Sequence, residues 1–304
     1  MKILYLSAKG VLKMNNKFHG VFPALLTPYD KNGNVNCETI EALIEHNLKK
    51  GATGFYVGGS TSEAFLLSMD ERKTILETAV KAANGKATII AHVGCVSTEH
   101  TAELARHAAK VGADAVSAVP PFYYGFSFNE IKNHYMTLAD ESGLPVIIYN
   151  FVANGGSKLS QENFEVFLRD PRFLGVKHTS ADMFLLERLK GMRDDVVVFN
   201  GFDEMFISGL AAGADGGIGS TYNFMVEKFV KIETLFRANK IDEAREEQKK
   251  ANNIIAALIQ VGVIPGCKAI LRSQGFDMGE ARRPFSPLTA EQNDMLLKVY
   301  SENV

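Results

Sequence analysis

The chain has 304 residues, 46% hydrophobic and 22% charged, with a formal net charge of -2. That balance fits a folded globular protein, and the lack of any basic or acidic block argues against nucleic acid or a membrane surface as partner. No apolar run approaches the ~20 residues needed to span a bilayer. Three scattered cysteines, Cys37, Cys95 and Cys267, make neither a disulfide framework nor a zinc pattern, so reduced thiols in a cytoplasm are expected.

The opening MKILYLSAKGVLK has an apolar run only from Ile3 to Leu6, too short for a signal-peptide core. Met14 is a candidate start, with residues 1–13 an extension. From residue 21 the chain alternates short apolar runs with longer amphipathic stretches. VFPALLTP (21–28) precedes a helical pattern over 38–51. GFYVGG (54–59) precedes one over 70–85, TIIAHVG (88–94) one over 97–112, and AVSAVPP (115–121) one over 129–143. PVIIYN (145–150) precedes 160–170, FLGVKHT (173–179) precedes 182–193, VVVFNG (196–201) precedes 203–213, and GGIGST (216–221) precedes 225–240. Ser97 or Thr98, Asn129 and Ser160 are placed to start helices, and Gly51, Gly85, Gly112, Gly143 and Gly213 to end them.

Strands apolar on successive residues suit a parallel sheet covered on both faces. Eight strand–helix units predict a (β/α)8 barrel over residues 18–240. An open doubly wound sheet is the competitor, but no G-x-G-x-x-G lies between a strand and a helix. Residues 1–17 are set apart as an N-terminal extension, and 241–304 read as a C-terminal helical region.

In such a barrel the site forms at the carboxyl ends of the strands. There GGSTSE (58–63) offers backbone amides and hydroxyls suited to a carboxylate or phosphate, although a plain turn reads the same way. Tyr149 and Asn150 end the fifth run, and Lys177 lies near the end of the sixth. Alternation puts Leu174 and Val176 toward the helices, with Gly175, Lys177 and Thr179 inward; Gly175 is expected to leave the lysine room. Asp203 and Glu204 follow the seventh run and suit a helix N-terminus. They argue against a phosphate at the neighbouring GGIGST loop and for hydroxyl groups. A solvated lysine at a strand rim is the plain reading of Lys177. An inward lysine beside a tyrosine instead suggests a Schiff-base nucleophile. Such an amine must titrate near roughly 7–8 rather than ~10.4. A pyridoxal-phosphate barrel would use the same lysine, with GGIGS on the phosphate. No close histidine pair supports a metal site.

Together GGSTSEAFLLS, IAHVGCVST, DAVSAVPPFYYGFSF, PVIIYN, GVKHTSAD, NGFDEMF and GADGGIGSTYN resemble the N-acetylneuraminate lyase and dihydrodipicolinate synthase family of pyruvate-dependent class I aldolases, from about residue 18 to the C-terminus. The resemblance implies that Lys177 forms the imine and that Tyr149 relays a proton at the hydroxyl beside the broken bond. It implies that Ser60 and Thr61 hold the pyruvate carboxylate, and that Thr179, Gly201, Asp203, Glu204 and Ser220 contact a sugar's hydroxyl chain. Tyr123 matches a tyrosine lent across a subunit interface, and a homotetramer without cofactor or metal is implied. GFDE and GSTYN, and the lack of an arginine between Asn150 and Lys158, favour the lyase side: reversible cleavage of sialic acid to pyruvate and N-acetylmannosamine. A sibling aldolase or dehydratase for another 2-keto-3-deoxy acid is the alternative. Two departures stand out. Ser62 replaces the family's usual glycine and is expected to add a side chain beside the carboxylate site. Val152 replaces a proline, so that Phe151–Gly156 is expected to differ in shape.

Overall fold

Strands that are apolar on both faces have no side to show to water, and all eight here are covered inside and out. The computed structural model describes residues 17–151 and 159–304; the expected extension over 1–13 and the Val152 departure lie outside the described residues. The strands are β1 (Gly20–Pro23), β2 (Gly54–Val57), β3 (Thr88–His92), β4 (Ala115–Ala118), β5 (Val146–Phe151), β6 (Phe173–Thr179), β7 (Val197–Asn200) and β8 (Gly216–Gly219). They pair in parallel in the order β1-β8-β7-β6-β5-β4-β3-β2. The ends of that series meet: Ala24 bridges Tyr56, Thr53 N donates to Val21 O at 3.0 Å, and Leu25 N donates to Tyr56 O at 2.9 Å. The sheet thus curls into a (β/α)8 barrel, as the eight-unit pattern predicts.

Among the described residues eight helices surround it: α1 (Cys37–Lys49), α2 (Met69–Ala83), α3 (Thr98–Val111), α4 (Phe128–Ser142), α5 (Gln161–Leu168), α6 (Met183–Lys190), α7 (Phe206–Ala211) and α8 (Tyr222–Arg237). Three more follow, α9 (Ile241–Val261), α10 (Val263–Ser273) and α11 (Ala290–Asn303). Among the described residues no single helix is long and apolar enough to cross a membrane. Ser97 and Ser160 cap α3 and α5, and the five expected glycines all carry positive φ. The start of α4 differs from expectation. Ser127, not Asn129, is its cap, because Ser127 and Glu130 form a reciprocal capping box that satisfies two amides at once.

Two apolar layers result. Phe22, Tyr56, Ile90, Ile147, Tyr149 and Phe199 belong to the inner one, while Val21, Phe55, Val116, Ile148, Val176 and Val198 pack against the helices. β6 breaks strict alternation. Val146 of β5 is paired with Phe173 but the next residue, Ile147, is paired with Gly175, so β6 carries an extra residue there. Leu174 therefore lies in the inner layer while Phe173 and Val176 face outward, contrary to the expectation for Leu174. The reason for Gly175 also differs from expectation. A Cβ at this position would collide with the carbonyl of Val197 on β7, so the glycine permits close strand approach rather than making space for the lysine. Gly175→Ala should therefore destabilise the fold by about 1–3 kcal/mol through overpacking, read as a lower urea midpoint of unfolding. An unchanged midpoint would show that the strands can part at no cost.

Candidate active site

Register decides which side chains meet at the barrel mouth. Tyr149 of β5 is paired with Lys177 of β6, and Lys177 with Phe199 of β7. Paired residues of parallel neighbours project to the same face, so the three form one inward row. Lys177 is 5% exposed. Its Nζ lies 4.1 Å from the centroid of the Tyr149 ring and 4.3 Å from that of Tyr56, which comes from β2 on the far side of the barrel. Tyr56 donates to Ser117 Oγ at 3.0 Å, and burial pushes its phenol pKa well up, so it stays a neutral donor. Two aromatic faces thus meet the end of one amine, an arrangement that favours positive charge there.

The turn after β2 supplies hydroxyls. Ser60–Ser62 is a single 3-10 turn, and Thr61 Oγ1 lies 2.6 Å from Ser220 Oγ of the turn after β8. Ser62 does not stand beside the cavity as expected. Its Oγ donates to Leu25 O and accepts from Gly58 N at 3.2 Å, so the side chain turns inward and stitches the turn to the segment after β1. Gly58 is held again from β3: Val119 N donates to His92 Nε2, leaving Nδ1 to donate to Gly58 O at 2.9 Å. Burial and the nearby Arg72 cation hold His92 well below the usual imidazole pKa, so the ring is neutral.

Behind the turn is a buried charge. Glu63, in left-handed backbone conformation (φ 61°), pairs with Lys268 of α10 at 2.7 Å, and neither side chain reaches solvent. Glu63 Oε2 also accepts from Arg282 N at 2.6 Å. Lys268 donates to Glu280 O at 3.1 Å and lies 4.1 Å from the centroid of the Tyr29 ring. Burial lowers the Lys268 pKa, and Glu63 opposes that shift.

After β7, Asp203 and Glu204 occupy a 3-10 turn that precedes α7 rather than the first turn of a longer helix. Asp203 Oδ2 accepts from Thr221 N at 2.9 Å and from Thr221 Oγ1 at 2.6 Å. Burial nevertheless raises the carboxyl to about 6, the two hydrogen bonds only partly offsetting it. Two glycines make this packing possible. A Cβ at Gly219 would collide with Asp203 Oδ1, and one at Gly201 with Thr179 Oγ1.

Ser60, Thr61, Tyr149, Lys177, Thr179, Gly201, Asp203, Glu204 and Ser220 all line one cavity of about 430 Å³. Thr179 Oγ1 in that wall is buried and has no hydrogen-bond partner among the described residues. Tyr123 lies apart: it is 85% exposed, at φ 77°, with its ring against Tyr124. Sequence reasoning missed Tyr56, although period two along GFYV places it inward. It also missed the far wall, where Ile255 and Ile259 of α9 and Val263 and Ile264 of α10 close the cavity. Among the described residues no group of three or more metal-ligating side chains occurs.

An amine held between tyrosine rings at the carboxyl end of a (β/α)8 barrel defines a class, the barrels that handle carbonyl compounds through a lysine. The chain belongs to the dihydrodipicolinate synthetase family, whose model matches residues 17–303. It is 47% identical over 269 residues to the N-acetylneuraminate lyase of Rhizobium meliloti (strain 1021), covering 88% of this chain and 90% of that protein. A Clostridium difficile structure in complex with mannosamine superposes with a TM-score of 0.91 at 36% identity, covering 94% of this chain and 99% of that one. The N-acetylneuraminate lyase of Fusobacterium nucleatum complexed with pyruvate gives a TM-score of 0.90 at 34% identity, covering 99% and 100%.

Two stability measurements test the electrostatics. Lys268→Met leaves the Glu63 carboxylate buried and unpaired, and should cost about 3–5 kcal/mol in urea unfolding, with partial recovery in Lys268→Met/Glu63→Gln. An equal loss in the double variant would refute the charge argument. Asp203 has a folded pKa of about 6, above its ordinary 3.8. Its stabilising contribution is therefore full below about pH 4 and is lost as pH rises through about 6. Asp203→Asn should flatten stability over that window, and an unaltered pH slope would count against the raised pKa.

Proposed function

We propose that the protein is a Schiff-base aldolase that cleaves N-acetylneuraminate reversibly to pyruvate and N-acetylmannosamine. The observation that carries this is the Lys177 amine against the Tyr149 and Tyr56 rings, in one cavity with the Ser60, Thr61 and Ser220 hydroxyls and the Asp203–Glu204 turn. The 47% identity to an N-acetylneuraminate lyase, and the likeness to structures holding mannosamine and pyruvate, support the same substrates.

The free Lys177 amine attacks the C2 keto carbon of the open-chain sugar, and the carbinolamine loses water to give a protonated imine. The tyrosine faces favour its positive charge. The Ser60 and Thr61 hydroxyls receive the C1 carboxylate, which fixes C2 over the amine. Tyr149 relays the C4 hydroxyl proton: its phenol oxygen takes that proton up as its own passes to the substrate carboxylate, from which a proton later returns to C3. The C3–C4 bond breaks, its electron pair moves into the iminium to form an enamine, and C4 leaves as the aldehyde of N-acetylmannosamine. The enamine takes a proton at C3, and water releases pyruvate and the amine. Thr179, Gly201, Asp203, Glu204 and Ser220 hold the hydroxyl chain, with carboxylates accepting from the sugar O–H groups. The exposure of Tyr123 supports a place for it in a subunit contact, as a homotetramer would require. The three free cysteines support a cytoplasmic setting.

The purified protein should release pyruvate from N-acetylneuraminate, and Lys177→Ala should abolish it. Borohydride reduction in the presence of pyruvate should add a three-carbon group to Lys177; an adduct on a different lysine would end this mechanism. Tyr149→Phe should lower kcat by about 10²–10⁴-fold, the usual worth of a positioned acid–base group. Turnover at the original rate would remove the tyrosine from the proton path.

A further inference from the structure

Two side-chain amides of α9, the first helix beyond the barrel, hold the acidic turn from behind. Gln248 and Asn252 are four residues apart on α9 and share one face of it. The buried Gln248 donates from Nε2 to Asp203 O at 3.0 Å and to Asn252 Oδ1 at 2.8 Å, and its Oε1 accepts from Ile207 N at 3.3 Å. Asn252 Nδ2 donates to Glu204 O at 3.1 Å. The peptide carbonyls of both acidic residues, and an amide in the first turn of α7, are thus gripped by one side-chain network. Both residues line the cavity, and the Asp203 carboxylate accepts from Thr221. Continuing along α9, Ile255 and Ile259 line that same cavity.

We propose that Gln248 and Asn252 are positioning residues for substrate selection: they fix the Asp203–Glu204 turn so that its carboxylates meet the hydroxyl chain of a polyhydroxylated substrate. The inference rests on the aldolase reading above and extends it to a region outside the barrel strands. Its consequence is a division of labour. The amides act on the sugar half of the reaction only, because Lys177, Tyr149, Ser60 and Thr61 do not bond to them.

The test uses Gln248→Met, which keeps side-chain length but neither donor nor acceptor, and Asn252→Ala at a half-buried position, which gives the readout if the first variant does not fold. The KM for N-acetylneuraminate should rise about tenfold, the scale of one or two lost hydrogen bonds, with kcat within about threefold. Trapping of pyruvate on Lys177 by borohydride, and condensation of pyruvate with glyceraldehyde, should proceed as in the unaltered protein. Gln248→Glu keeps an acceptor for Ile207 N but turns a carboxylate on the Asp203 carbonyl, and should share the KM defect. An unmoved KM in folded variants overturns the inference. So does a parallel fall in cleavage, trapping and glyceraldehyde condensation, which a merely structural role would give, and so does a normal KM in Gln248→Glu. An unaltered protein that traps pyruvate but does not cleave N-acetylneuraminate overturns the substrate reading first, and the inference with it.

Discussion

One lysine amine set against two tyrosine rings sets the terms for the rest of this protein. Each tyrosine face is worth about 0.5–2 kcal/mol to a positive charge, more where water is excluded. In the proposed mechanism the same faces support the protonated imine. The arrangement needs Tyr56 and Tyr149 on strands from different parts of the ring, both turned inward at the height of Lys177. Only a closed barrel with fixed register brings them together. β1 must meet β2 for Tyr56 to reach across, and β5 must pair with β6 for Tyr149 to stand beside the amine.

The helices beyond the barrel are tied into the same site. Lys268 of α10 neutralises Glu63 under the hydroxyl-bearing turn, and Gln248 and Asn252 of α9 hold the acidic turn. A buried ion pair contributes little net stability against an apolar replacement, yet losing one partner is costly. Its effect here is geometric: it holds Glu63 in a backbone conformation that non-glycine residues seldom adopt. With four apolar side chains from α9 and α10 closing the far wall, the strands carry the reacting groups and the added helices shape what surrounds them.

Much of this could be read from the residues. The eight-fold beat predicted the barrel, the strand ends marked its mouth, and the family resemblance picked out there nine positions that line the cavity, because parallel strands expose their ends to loops and bury everything else. What escaped has identifiable causes. The inward turn of Ser62 depends on a carbonyl at Leu25, distant in sequence and near only after the barrel closes. The roles of Lys268 and Gln248 rest on contacts across many residues, which helical periodicity does not encode. The α4 cap was misplaced by two residues because Asn129 and Ser127 both suit such a position, and only the reciprocal bond from Glu130 separates them.

The irregularity at the start of β6 has a consequence for chain counting. Leu174 faces the barrel axis, and strict two-residue alternation from it would turn Val176 inward and Lys177 toward the helices. The bulge absorbs the additional residue, so that Leu174 fills the lower core and the amine still arrives inside. Without Gly175, plain alternation would run Leu174 in, Val176 out and Lys177 in, so the glycine lengthens the strand at the bulge without changing the face on which the amine arrives. The inward place of Lys177 therefore depends on one local irregularity that takes up a residue the regular ladder has no room for.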